Sequence, residues 1–201
     1  MRSQIYDQLW FEPGPNGLPY ELPIHPNLVH FTIALFIISI FFDIAGRLFP
    51  LERPILKFFG FEAVRSGFHD VGWYNLLGAV VMTFFTVAMG FFEIMLASPP
   101  AGEKSHWGLD ASTTMALHGL GGIFILASIV AMTVWRWFQR YRWRANKIAQ
   151  VQWLYLLAGI LIIVIMYYQG TLGGQLGGDF GIHTTAADLL RQGKNPNEVL
   201  K

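Results

Sequence analysis

The chain has 201 residues, 53% of them hydrophobic and only 13% charged, with a formal net charge of +1 and no cysteine. An average soluble domain is about one quarter charged, so a single domain of this length lacks the polar surface to coat a water-soluble core. The balanced charge implies neither nucleic acid nor an acidic partner. The missing cysteine excludes disulfides, thiolate catalysis, Cys-ligated clusters or zinc, and covalent c-type haem, leaving His, carboxylates, Met and Tyr as ligands.

Residues 1–26 carry Pro13, Pro15, Pro19, Pro23 and Pro26 with Gly14 and Gly17, which predicts an extended N-terminal arm. The arm has no apolar h-region, so the run after it does not read as a cleaved signal peptide. Four apolar runs follow at 27–49, 73–97, 113–138 and 152–175. Each is about 20 residues or more, enough to cross hydrocarbon as a helix while satisfying its own backbone hydrogen bonds. None is amphipathic in the manner of a soluble bundle. The expected fold is all-α: an integral membrane four-helix bundle over 27–178, up-down-up-down, with both termini outside. Between the second and third spans, SPPAGEKSHWGLDAS reads as a surface loop, with Ser105 or Ser112 as a helix cap. The tail, 179–201, is expected to hold a short helix at TAADLLRQG ending at Gly193.

Arg47, Arg53, Lys57, Arg65, Arg136, Arg140, Arg142, Arg144 and Lys147 fall on one side of this topology; Arg2, Lys104, Arg191, Lys194 and Lys201 fall on the other. The first side is the more basic and so reads as cytoplasmic. The chain is then a multi-pass protein of a bacterial inner membrane with periplasmic termini. Trp73, Trp135, Trp137, Trp143 and Trp153 sit near the cytoplasmic ends, and Trp107, Tyr167 and Tyr168 near the outer ends, as interfacial aromatics do.

On this topology His25, His30, His106, His118 and His183 lie on or near the outer side, and His69 is cytoplasmic. His30 and His118 sit a few residues into the first and third spans, at matched depth by the helical rise. In an up-down bundle these spans are diagonal neighbours. Two imidazoles facing each other across the axis would form the axial ligand pair of a b-type haem. Gly90, Gly119, Gly121 and Gly122, and the face made by Gly170, Gly174 and Gly178, supply room for a flat ligand or for close helix packing. Other accounts stay open. His30 and His118 can be interfacial polar residues bonded to backbone or to each other. His25, His30, Glu93, His118 and His183 could instead form a non-haem metal site for zinc, iron or copper. Asp43 is expected to pair with Arg47, one turn on. Glu93 is open to a salt bridge, a metal or a proton, and His69 and His106 read as solvated or interfacial.

The function expected is therefore an electron-transfer subunit with haem b in the outer leaflet, placed in a larger respiratory or photosynthetic complex. Its partners would be lipid, other subunits, and a quinol or periplasmic carrier. The alternative is a cofactor-free accessory subunit. No nucleophile elbow, metalloprotease motif or phosphate loop is present, and no inverted repeat suggests a transporter.

The segment LPIHPNLVHFTIALFIISIFFDIAG at 22–46 resembles the bacterial membrane family known as domain of unknown function 2231. That family opens its first helix with His-Pro and Val-His-Phe and ends it with Asp and Gly. Gly90 with Glu93, His118 at the opening of the third span, and GTLGGQLGG in the fourth are similar to later family features, so the likeness runs over about 22–183. The family follows its last Gly-Gly with Tyr and His-Gly-Val-Gly-Val, whereas this chain has GGDFGIHTTAAD, with His183 displaced. The resemblance implies the four-helix architecture, singles out His25, His30 and His118, and supplies no reaction.

Overall fold

Pro26 stands inside the first turn of the first long helix, α1 (Ile24–Leu48). Proline is tolerated there because the first N–H groups of a helix have no intrahelical acceptor. The structure, a computed structural model, describes residues 14–51, 53–60, 64–142 and 151–199, and of Arg53 only the backbone. Arg2, Pro13, Trp143, Arg144, Lys147 and Lys201 lie outside the described residues. After α1 come α2 (Arg53–Phe58), α3 (Arg65–Leu96), α4 (Ala111–Trp137) continued by a π-helical turn (Phe138–Arg142), α5 (Trp153–Gly178), α6 (Thr185–Arg191) and α7 (Pro196–Val199). The fold is all-α, with no strand among the described residues.

The helices α1, α3, α4 with its π turn, and α5 are long and apolar enough to cross a membrane, yet only 28, 28, 17 and 28% of their apolar windows are buried within the protein. Phe31, Phe41, Phe84, Phe124, Leu154 and Leu161 are among the large apolar side chains left outside. Burying such area gains about 25 cal/mol per Å², and a patch this extensive calls for an apolar surrounding.

Two boundaries differ from the sequence reading. The second span begins at Arg65 instead of 73, which brings His69 and Asp70 into α3. The cap of α4 is Asp110, not Ser105 or Ser112. The Asp110 carboxylate accepts the Thr113 N–H at 2.7 Å and the Thr113 hydroxyl at 2.8 Å. These bonds favour its charged form, as N-capping carboxylates do, and hold it below its ordinary pKa. Ser105 instead turns the loop, its hydroxyl accepting the Trp107 N–H.

The chain divides into two compact units, and each long helix contributes to both. One unit holds Met1–Asn27, Thr86–Ile123 and Tyr168–Lys201; the other holds Leu28–Phe85 and Phe124–Tyr167. The second carries the larger apolar core, built around Phe36, Ile40, Leu76, Ile129, Tyr155 and Leu156. The first has two smaller clusters, Leu18 with Leu96, and Ala111 with Leu176 and Phe180.

Candidate functional site

In the first unit, polar side chains gather at the start of α1 and the end of α3. Ile24 and His25 are the first residues of α1, so their N–H groups are orphans of the helix. Both donate to Oε1 of Glu93, at 2.9 and 3.0 Å, and the Tyr20 hydroxyl donates to the same oxygen at 3.0 Å. Glu93, only 5% exposed, thus caps a helix from another element. Its negative charge sits where the helix dipole favours it. In this structure the Glu93 carboxylate joins the arm, α1 and α3.

His183 does a related job for the C-terminal end of α3 itself. Its Nε2 faces the Glu93 main-chain carbonyl at 2.8 Å, and its Nδ1 faces the Asn16 carbonyl at 3.3 Å. The Glu93 carbonyl is one of the last four of its helix, which lack an intrahelical donor. Both ring nitrogens of His183 are directed at main-chain carbonyls. Its φ of 56° is left-handed, an uncommon backbone for a non-glycine residue. The Asn16 side chain donates to the carbonyls of Tyr20 and Glu21 and accepts the Leu18 N–H, so arm, α3 and tail are tied together.

Two further histidines each turn only one ring nitrogen to a carbonyl. His25 Nδ1 lies 2.8 Å from the Thr86 carbonyl, and His118 Nδ1 lies 3.1 Å from the Gln169 carbonyl. A carbonyl only accepts, so each ring carries its proton on Nδ1 and its lone pair on Nε2. Ligating histidines are commonly oriented by such a bond from the other nitrogen. The two rings lie 5.8 Å apart, centroid to centroid, at an interplanar angle of 84°.

Glycines seat these rings. A Cβ on Gly90 would come within 2.8 Å of His25 Cε1, and one on Gly173 within 2.9 Å of His118 Cε1. A Cβ on Gly121 would collide with the Gln169 amide, whose buried Oε1 has no hydrogen-bond partner. Of the glycine face expected on the fourth span, Gly170, Gly174 and Gly178 meet nothing within 4 Å. The α5 glycine that seats a histidine ring is Gly173.

The geometry therefore moves the histidine pair. His118 meets His25, while His30 is exposed on α1. The larger metal set does not assemble: among the described residues no group of three or more His, Asp or Glu is placed to hold an ion. His106 is exposed and contributes its N–H to Asp179 Oδ2 at 2.8 Å.

The second unit holds a polar core that sequence reasoning misassigned. Asp43 accepts Arg136 Nε and Nη2, each at 2.9 Å, in a bidentate pair. His69 Nδ1 donates to Asp43 Oδ1 at 3.2 Å. Asp43 and Arg136 are 0% exposed and His69 is 1% exposed. Asp43 thus pairs across helices instead of with Arg47, whose guanidinium stacks over Trp153 at 5.4 Å. Arg136 is accordingly enclosed by the protein, and His69, expected to be solvated or interfacial, is not solvated. Gly46 and Gly72 let the cluster close: a Cβ on either would come within 3.0 Å of His69 or Asp43.

The model of a family described as a predicted membrane protein, DUF2231, matches residues 21–186. The chain belongs to the DUF2231 family. No curated protein and no solved structure matches it. The matched range contains both polar clusters of this DUF2231 protein except Asn16 and Tyr20, so the arm adds contacts from beyond the family region.

Tyr20 gives that addition a measurable signature. Burial, then its hydrogen bond to Glu93, then the nearby Glu93 charge, push its phenol well above the usual tyrosine range. A raised folded-state value means that the contact stabilises fully below about pH 10, the ordinary tyrosine value, and fades as pH climbs through the raised one. Protease cleavage within the arm of the DUF2231 protein should therefore increase above about pH 10. Tyr20→Phe should remove most of that pH dependence. An arm whose cleavage rises identically in both proteins would refute the assignment.

Proposed function

We propose that this membrane protein is an electron-transfer subunit in which His25 and His118 hold a b-type haem. One observation carries the reading: both rings are pinned through Nδ1 to helix carbonyls, leaving two Nε2 lone pairs on neighbouring imidazoles. The donor chemistry fits. Bis-imidazole ligation needs no cysteine, and the two rings are neighbours, 5.8 Å between centroids. Gln169, whose main-chain carbonyl orients His118, also carries a buried Oε1 with no hydrogen-bond partner. Gly90 and Gly173 set the ring positions, and the Thr86 and Gln169 carbonyls fix the tautomers. Haem held there would supply a one-electron couple. The protein's own residues would provide ligands, orientation and a low-dielectric setting.

The wider placement follows from charge. Arg47, Lys57, Arg65, Arg140 and Arg142 flank the spans on one side, which supports a cytoplasmic location for that side in a bacterial inner membrane. The histidine pair would then lie in the outer leaflet, within reach of a quinol, a periplasmic carrier or another subunit of a respiratory or photosynthetic complex. A specific observation favours a second reading, a cofactor-free accessory subunit. Glu93, His183 and Asn16 spend their hydrogen bonds on holding arm, tail and helices together, as a scaffold would require.

Difference spectra separate the two. Purified protein, reduced with dithionite, should show b-haem bands. His25→Ala and His118→Ala should each abolish them, and His30→Ala should leave them intact. Purification from haem-replete cells without any such bands would leave the accessory reading in possession. Bands lost with His30→Ala but kept with His25→Ala would restore the pairing expected from sequence.

A further inference from the structure

We propose that the Asp43–Arg136–His69 cluster forms one wall of a buried water site, completed by Ser39, Gln139 and Tyr155. The cluster leaves several hydrogen-bonding groups unused. Arg136 spends Nε and Nη2 on Asp43, while Nη1 has no partner. Gln139 Nε2 is likewise buried and unpartnered, and Ser39 Oγ and Tyr155 Oη, buried beside each other, have no partner beyond that mutual contact. All of these residues are less than 5% exposed. Native interiors rarely leave such groups unsatisfied, and each would cost about 1–3 kcal/mol if left so.

The groups are also neighbours. Ser39 is one turn before Asp43 on α1, and Arg136 is one turn before Gln139 at the end of α4, spacings that share a helix face. Gln139 Oε1 accepts the Gln152 N–H at 3.0 Å, which fixes its amide orientation and places it one turn from Tyr155. Tyr155 in turn lies beside Ser39 and in the field of Asp43 and Arg136.

The chemistry selects the ligand. Arg136 Nη1 and Gln139 Nε2 can only donate, so the surplus is of donors, and a cation is unsuited. Asp43 and Arg136 cancel each other's charge, so an anion would enter hydrocarbon without a counter-ion, at high cost. A small, neutral acceptor remains, one that can also donate onward to the two hydroxyls. Water meets every condition, and buried waters typically make about three bonds to groups of this kind.

Hydroxyl-radical footprinting of the full-length protein in lipid nanodiscs tests the proposal, because X-rays generate radicals from bound water inside the protein. Tyr155 is 0% exposed and Met166 4%. Tyr155 should be oxidised while Met166, the intrinsically more reactive side chain, is spared. Ser39→Val, which places methyl groups where the water would sit, should lower Tyr155 labelling severalfold. Labelling of neither residue, or of both alike, would overturn the site. So would unchanged Tyr155 labelling in a folded Ser39→Val protein. If that variant does not fold, the wild-type comparison of Tyr155 with Met166 decides alone.

Discussion

Arg136→Met should destabilise the protein by about 3–5 kcal/mol, the scale of breaking a fully buried ion pair by removing one partner. The substitution strands the Asp43 carboxylate with only the weak His69 contact. Adding Asp43→Asn removes the stranded charge, so the double variant should recover most of the loss. Well-packed neutral replacements of buried pairs are often close to neutral. Arg47→Met is the control. It removes a stacked contact with Trp153 worth about 0.5–1 kcal/mol, although Arg47 is the partner that the sequence suggests for Asp43. Thermal unfolding in detergent gives the order directly. A double variant no more stable than Arg136→Met, or an Arg47→Met loss as large, would show that the bidentate pair does not govern this core.

That contrast also shows where the sequence is readable. The four spans are legible because length and apolar content are local properties, and α1, α4 and α5 begin and end within a few residues of expectation. The start of α3 was hidden by polar and glycine residues at Arg65–Gly72, which read as a loop but form a turn-by-turn helix around His69. Pairing is not local. Asp43 and Arg136 are 93 residues apart, and the one-turn rule supplied Arg47 because it considers a single helix.

The histidine pair went astray for a related reason. Depth alone favours His30, but a helix advances about 100° per residue, so five residues place His30 roughly 140° round the helix from His25. Only one of them can face His118, and the angle round the helix, which depth does not carry, decides which. The readable signal was Gln169, a polar residue within an apolar run and one turn from Gly173. It marks the face of α5 that meets His118. The glycines one residue away point elsewhere, which is why the expected stripe fails.

Glu93→Ala should be the most disruptive change in the first unit, at on the order of 3 kcal/mol. Hydrogen bonds to a charged group contribute about 1.5–3 kcal/mol each, and losses at one oxygen do not add fully. Three donors lose their acceptor: the Tyr20 hydroxyl and the first two N–H groups of α1. Glu93→Gln keeps an acceptor at the same place and should lose about half as much, since only the interaction of charge with the helix terminus goes. The damage should be local. Protease sensitivity should rise in residues 14–24 before the apolar core of the second unit melts, because Glu93 belongs to the first unit. The same variant separates support from ligation. His25 donates its N–H to Glu93 and its Nδ1–H to Thr86, so Glu93→Ala loosens the backbone at His25 but leaves its ring anchored. Any haem signal should then weaken or shift without vanishing, whereas His25→Ala should erase it. A Glu93→Ala protein with wild-type stability and an arm still resistant to protease would remove Glu93 from its role as a cap contributed by one helix to another.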